Sequence, residues 1–132
     1  EEIQMQNRYN TSSTDAIIAA ADTISRNSHA GVIVTFSVSG KTTLRMARER
    51  CPVRVVGISP SIETARKLCL VWGVHSCVGE DAQNTKEMVN NACTIVKDEG
   101  IAKNGDRIII TAGIPFGRAD STNLLRIAEI KF

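Results

Sequence analysis

Residues 36–43 read Phe-Ser-Val-Ser-Gly-Lys-Thr-Thr, the segment of the chain best equipped to hold an anion. Ser37, Ser39, Thr42 and Thr43 bring hydroxyls, and Lys41 brings a full positive charge. Gly40 offers a backbone that can come close to a ligand. An apolar run precedes the segment and a helical pattern follows it. A helix N-terminus therefore falls here, with unpaired N–H groups and a partial positive charge. The chemistry predicted is the binding of a single phosphate group. The opposing reading is that Ser39 merely caps the helix and Lys41 is solvated, and composition alone weighs the two evenly.

Gly-Lys-Thr after a strand also invites comparison with a nucleotide-binding phosphate loop. That motif needs glycine five residues before Gly40, and Thr35 stands there. The later run Ile110-Thr111-Ala112 offers no acid for magnesium. ATP hydrolysis is not expected.

Other reactive side chains are scattered. His29 falls at a helix end and His75 inside a short strand, and both read as structural. Glu80 and Asp81 form an adjacent acidic pair in a loop, which reads as solvated surface. Cys51, Cys69, Cys77 and Cys93 contain no Cys-x-x-Cys, and neither histidine stands in metal-ligand spacing with them. The expectation is four buried thiols in a reducing cytoplasm, with no metal site. No nucleophile–base pair is visible, so the residues point to a binding module rather than an enzyme.

The elements that must position these residues alternate. A polar, aperiodic start gives way to a helix from Ser13 or Thr14, with Ile17, Ile18, Ala21 and Ile24 at helical spacing. Val32–Phe36 is a β-branched run without alternation, which predicts a strand covered on both faces. Lys41–Arg50 reads as a helix with Leu44 and Ala47 inward, and Val53–Ile58 as a second strand. Ser61 is placed to cap a helix whose stripe is Ile62, Ala65, Leu68, Cys69 and Trp72, with Gly73 in the left-handed position after it. Val74–Val78 is a third strand. Met88, Ala92, Ile95 and Val96 mark a helix from Thr85 to Gly100. Arg107–Thr111 is a fourth strand, Gly113–Thr122 a loop, and Asn123–Ile130 a final strand. No helix precedes that last strand, so it is expected to run antiparallel.

Composition narrows the classes. The 132 residues carry 16 Lys and Arg against 14 Asp and Glu, a formal charge of +2, which gives no basic stripe for nucleic acid. Aromatic content of 4% argues against base-stacking platforms. No apolar run approaches the roughly 20 residues that cross a bilayer, and the start has no signal-peptide pattern. The absence of an initiator Met suggests a processed chain or an excised fragment.

Several segments, in order and spacing, carry a resemblance. They are Val38-Ser39-Gly40-Lys41-Thr42, Thr64-Ala65-Arg66-Lys67-Leu68, Leu70-Val71-Trp72-Gly73-Val74, Gly105-Asp106 before an isoleucine-rich strand, Thr111-Ala112-Gly113-Ile114-Pro115 and Thr122-Asn123-Leu124. Together they resemble the C-terminal α/β domain of pyruvate kinase, of a bacterial type, from about Thr14 to Ile130. The resemblance implies that residues 1–13 are the link from a catalytic barrel missing here and that 14–132 are the domain. Pyruvate kinase transfers phosphate from phosphoenolpyruvate to ADP in glycolysis, giving pyruvate and ATP, with magnesium and usually potassium. That chemistry belongs to the barrel, so this fragment is expected to be inactive, with no cofactor of its own. The family implies a phosphorylated effector and a tetramer. The effector loop maps onto Ser37, Ser39, Gly40, Lys41 and Thr42, and a second loop maps onto Gly113–Thr122. That second loop carries Arg118, which with Gly113 completes the expected site.

Two departures count against a bisphosphate. Asp120 adds negative charge where relatives often have Gly-Thr-Thr-Asn. The stretch between Val78 and Thr85 is short and lacks the Trp and Arg that eukaryotic relatives use for the second phosphate. A sugar monophosphate, a nucleoside monophosphate or no effector remain open. The alternative function is a free-standing, non-catalytic domain of the same fold that binds small phosphorylated metabolites.

The expected fold is an α/β three-layer sandwich, with helices on both faces of a five-stranded sheet in the order 3-2-1-4-5. Only the last strand is antiparallel. Right-handed crossovers wind strands 1, 2 and 3 one way, and the chain then returns past strand 1 to lay strand 4 beside it. A crevice is expected where strands 1 and 4 part company at their carboxyl ends.

Overall fold

The computed structural model describes residues 13–28, 30–80, 82–113 and 122–131. Helix α1 (Ser13–Asn27) leads into strand β1 (Ala30–Phe36). Helix α2 (Lys41–Arg48), strand β2 (Arg54–Ser59), helix α3 (Ile62–Leu68) and strand β3 (Val74–Val78) follow. Helix α4 (Thr85–Asp98) returns the chain to strands β4 (Arg107–Ala112) and β5 (Leu124–Glu129). The sheet order is β3-β2-β1-β4-β5, as the crossovers require. β1 pairs parallel with β2 and β4, β2 pairs parallel with β3, and β5 pairs antiparallel with β4.

The apolar runs are explained by burial on both faces. One face of the sheet packs Val32, Val34, Val56, Ile58, Ile108 and Ile110 against Met88, Ala92 and Val96 of α4. The other packs Ile33, Val55 and Ile109 against Ile18 and Ala21 of α1 and Met46 of α2. Leu68 of α3 lies on this second face, where it would meet a Cβ placed on Gly57. A strand flanked by helices on both sides cannot show polar alternation, and β1 and β4 do not.

Ser61 and Gly73 act as the sequence predicts, and Asn84 and Gly100 play like parts that it did not single out. The Ser61 hydroxyl accepts from the Thr64 N–H and starts α3. Asn84 does the same for the Glu87 N–H at the start of α4. Gly73 and Gly100 have φ of +82° and +71°, a region that favours glycine after a helix.

Other expectations are corrected. α2 ends at Arg48 rather than Arg50, and its inward residues are Thr42, Thr43 and Met46, while Leu44 is exposed. α3 stops at Leu68, and Ile62 and Trp72 lie outside the core, so the stripe read through Trp72 is not a helix face. Tight turns end it: the Leu70 N–H donates to Lys67 O and the Val71 N–H to Leu68 O. Of the four thiols only Cys93 is buried, while Cys69 is exposed and Cys51 and Cys77 are half-buried. Among the described residues no helix is long and apolar enough to cross a membrane.

Candidate functional site

The carboxyl ends of β1 and β4 lie side by side, in register from Val32 opposite Ile108 to Thr35 opposite Thr111. Beyond them the chain leaves β1 toward α2 and β2, and leaves β4 toward β5 on the other side. This is the topological switch point where α/β sheets open a crevice. Five of the predicted site residues, Ser37, Ser39, Gly40, Lys41 and Thr42, leave β1 at this edge. Gly113 follows β4 at the same edge. Arg118 and Asp120 lie outside the described residues.

The turn from β1 into α2 is held from behind. The Ser37 N–H donates to Ile58 O at 3.0 Å, and the Val38 carbonyl accepts from both the Thr64 hydroxyl (2.9 Å) and the Ser59 hydroxyl (3.2 Å). Within the turn the Ser37 hydroxyl accepts from the Gly40 N–H at 2.9 Å. The Ser39 hydroxyl accepts from the Lys41 N–H at 3.4 Å, a weak contact. Gly40 is the residue before the helix, with φ of +86°, and α2 begins with no side-chain cap of the kind Ser61 gives α3. Ser39 and Lys41 are exposed.

Gly40 also has a structural role. It is buried, and a Cβ there would come within 3.1 Å of Thr64 Cγ2. Its freedom serves the left-handed turn and the close approach of α3. Thr42 differs from expectation. Its side chain is buried, with Oγ1 2.7 Å from Thr122 Oγ1. The Thr122 N–H and carbonyl both meet the Thr14 hydroxyl at 3.4 Å, and the Asn123 N–H donates to Ala112 O at 3.1 Å. The starts of α1, α2 and β5 are thereby tied together at the carboxyl edge. Sequence reading missed Ser59, Thr64 and Thr122 as supports of this edge, because each acts through a partner more than 20 positions away.

The rejection of a phosphate loop has a structural counterpart. Thr35 is fully buried, and its Oγ1 lies 2.7 Å from Thr43 Oγ1 and 3.3 Å from the Val56 carbonyl. It fastens α2 to the sheet where a phosphate loop would need an open glycine. On the neighbouring strand the Thr111 hydroxyl is buried and has no partner among the described residues.

Two cavities are lined by residues other than Ser37–Thr42. One, of about 300 Å³, opens beside α4 between Phe36, Ile58, Gly79 and Ile95, and Glu80 and Glu87 line it, which disfavours an anion. The other, of about 470 Å³, lies at the opposite edge of the sheet, between the end of α2, the start of β2 and the turn before β3. Arg50, Arg54, Trp72 and His75 line it.

Cys51, Cys77 and Cys93 are all pushed away from the thiolate, chiefly by burial. Burial pushes the Cys51 thiol up to about 11, with a hydrogen bond to Asp22 adding to the effect. Burial, then Glu99 and Cys69, push the Cys77 thiol up to about 11. A nucleophilic cysteine needs the opposite shift.

Sheet order, strand directions and helices on both faces define a doubly wound α/β domain, with a hydroxyl-rich turn at its switch point. A sequence model of the family described as pyruvate kinase, alpha/beta domain, matches residues 15–128, and the chain belongs to that family. It is 42% identical over 117 residues to a pyruvate kinase of Methylorubrum extorquens, covering 89% of this chain and 24% of that protein. It is 35% identical over 120 residues to a pyruvate kinase of Geobacillus stearothermophilus, covering 91% of this chain and 20% of that protein. The chain thus spans only a fifth to a quarter of the length of these curated relatives. A crystal structure of a pyruvate kinase from Cryptosporidium parvum superposes with a TM-score of 0.80 at 22% identity, over 92% of this chain and 23% of that one, which shows the shared fold.

Proposed function

We propose that this chain is the regulatory and oligomerisation domain of a pyruvate kinase, residues 14–132, and that it binds a phosphorylated small molecule at the carboxyl edge of β1 and β4. In this reading the parent enzyme moves phosphate from phosphoenolpyruvate to ADP, in the cytoplasm and as a tetramer. Its magnesium and potassium belong to a barrel outside this chain, and residues 1–13 lead from that barrel. One observation carries the site. α2 starts at Lys41 after a left-handed Gly40 that has no side chain to cap it, in a turn whose exposed members are a serine and a lysine and whose carbonyl at Val38 is turned back and held by Ser59 and Thr64. Backbone N–H groups held so, beside Ser39 and Lys41, suit one phosphate group. The family resemblance adds Gly113, which follows β4 at the same edge, and Arg118.

The test is a thermal-shift series with sugar monophosphates, AMP and inorganic phosphate. A ligand at 100 times its dissociation constant adds about 2.7 kcal/mol. The double variant Ser39→Glu, Lys41→Glu should abolish that gain and keep the melting temperature of the ligand-free chain, since both positions are exposed. Thr42 is unsuitable for this test because it is buried. Stabilisation that survives the double change would mean that the turn serves only to start the helix.

A further inference from the structure

We infer that His75, Cys77 and Glu99 form a binding site for a zinc-class divalent ion, independent of the phosphate reading above. β3 is an edge strand of the sheet, and positions 75 and 77, two apart, project from the same face. Cys77 packs on the α4 side of the sheet. α4 ends there, and its C-cap residue, Glu99, brings a carboxylate to the same spot. His75 Nε2 lies 3.3 Å from one Glu99 oxygen, and Cys77 Sγ lies 3.9 Å from the other. The three ligand atoms fall within 4.8 Å of one another. A tetrahedral zinc ion, with bonds of about 2.0–2.3 Å, holds its ligand atoms roughly 3.3–3.7 Å apart. The cluster therefore needs only side-chain rotation to close on an ion.

The donor set selects the class of ion. One imidazole nitrogen, one sulfur and one carboxylate oxygen suit zinc and its soft or borderline neighbours, whereas calcium and magnesium take oxygen alone. Three protein ligands leave a fourth position for water or an outside ligand. As the metal–sulfur bond forms, the thiol proton leaves to solvent. The backbone at both ends is fixed, by pairing with β2 on one side and by the last turn of α4 on the other. A simple His–Glu ion pair would use only two of the three groups. The sequence hides the site because Glu99 stands 22 positions beyond Cys77.

The test titrates the reduced chain with Zn²⁺ by calorimetry and with Co²⁺ by absorption. The expected result is one ion per chain and a thiolate-to-cobalt charge-transfer band. Cys77→Ser should remove the band. His75→Gln and Glu99→Gln should each weaken zinc binding by at least about tenfold. Those two side chains are 38% and 47% exposed, so the variants keep the fold and decide the matter even if Cys77→Ser does not. The exposed Cys69 serves as control, and Cys69→Ser should leave the band in place. The site is refuted if zinc affinity is unchanged in His75→Gln and Glu99→Gln, or if the band follows Cys69 instead.

Discussion

Thr42 Oγ1 and Thr122 Oγ1 lie 2.7 Å apart in the interior and join residues 80 positions apart. The contact connects the first turn of α2 to the residue that leads into β5. Thr122 also exchanges backbone bonds with the Thr14 hydroxyl at the start of α1. Anything that displaces the start of α2 therefore pulls on the entry to β5.

The pair can be tested without any ligand. Thr42→Val keeps the shape and removes the buried hydroxyl pair with Thr122, at a cost of about 1–3 kcal/mol in urea unfolding. Thr122→Val should cost a similar amount. The double variant should cost less than the sum, by about 0.5 kcal/mol or more, because both single changes break the same hydroxyl pair. Strict additivity would show that the two hydroxyls do not depend on each other.

Gly57 is the second point at which the sheet admits no change. It lies in β2 opposite Thr35, and a Cβ there would stand 2.7 Å from Thr43 Cγ2 and 3.3 Å from Leu68 Cδ1. Its φ is not in the left-handed region, so the constraint is space alone. Gly57→Ala should destabilise by about 1–3 kcal/mol through overpacking. Gly57→Ala with Thr43→Ser, which removes the blocking methyl and keeps the hydroxyl that meets Thr35, should recover part of that loss. A Gly57→Ala chain as stable as the parent in urea would show that α2 slides freely on the sheet.

Much of the scaffold was legible in the residues. Val32–Phe36 and Ile108–Ile110 announced strands buried on both faces, because unbroken β-branched runs have no other comfortable place. The sheet order followed from handedness and the missing helix before β5. The misreadings share one cause. Ile62, Ala65, Leu68, Cys69 and Trp72 keep helical spacing, but the chain must turn at Leu70 to bring Val74 beside Val55. Leu44 keeps the spacing too, but α2 is short, and Thr42 and Thr43 take the inward places through hydroxyl pairs. Periodicity records which side chains could share a face and says nothing about a hydroxyl whose partner lies 80 residues on. The same holds for the candidate site: Ser39 and Lys41 were visible as donors, while Ser59, Thr64 and Thr122 became visible only once the strands were assembled.

Trp72, the single tryptophan, offers an optical check on that corrected stripe. It is 80% exposed, and the Arg50 guanidinium stands over its ring at 5.5 Å from the centroid. Its emission should already resemble indole in water and should shift little on unfolding. Iodide should quench it strongly, since the nearby cation draws the anion in. Arg50→Ala should reduce quenching by iodide and leave quenching by neutral acrylamide nearly unchanged, with a stability loss of about 0.5–1 kcal/mol from the cation–π contact. A blue-shifted emission that moves to the red on unfolding would place Trp72 in the core after all.

Cys51 makes the stability of the fold depend on alkaline pH. Its thiol is raised from 9.0 to about 11, first by burial and then by the hydrogen bond to Asp22 and its charge. In the unfolded chain the thiol loses its proton near the lower value, and in the folded chain near the higher one. Between them the native state binds more protons than the unfolded state, so stability falls as pH rises. The contribution is fully present below about pH 9 and is lost on the way to about pH 11. Urea midpoints measured across that window should decline for the parent chain. Cys51→Ala removes the titrating group and should flatten the part of the decline that it causes, at the expense of a lower midpoint near neutral pH. The exposed Cys69 is the control: Cys69→Ala should leave the slope where it was. A slope identical in the parent and in Cys51→Ala would mean that this thiol ionises as easily in the folded chain as in the unfolded one.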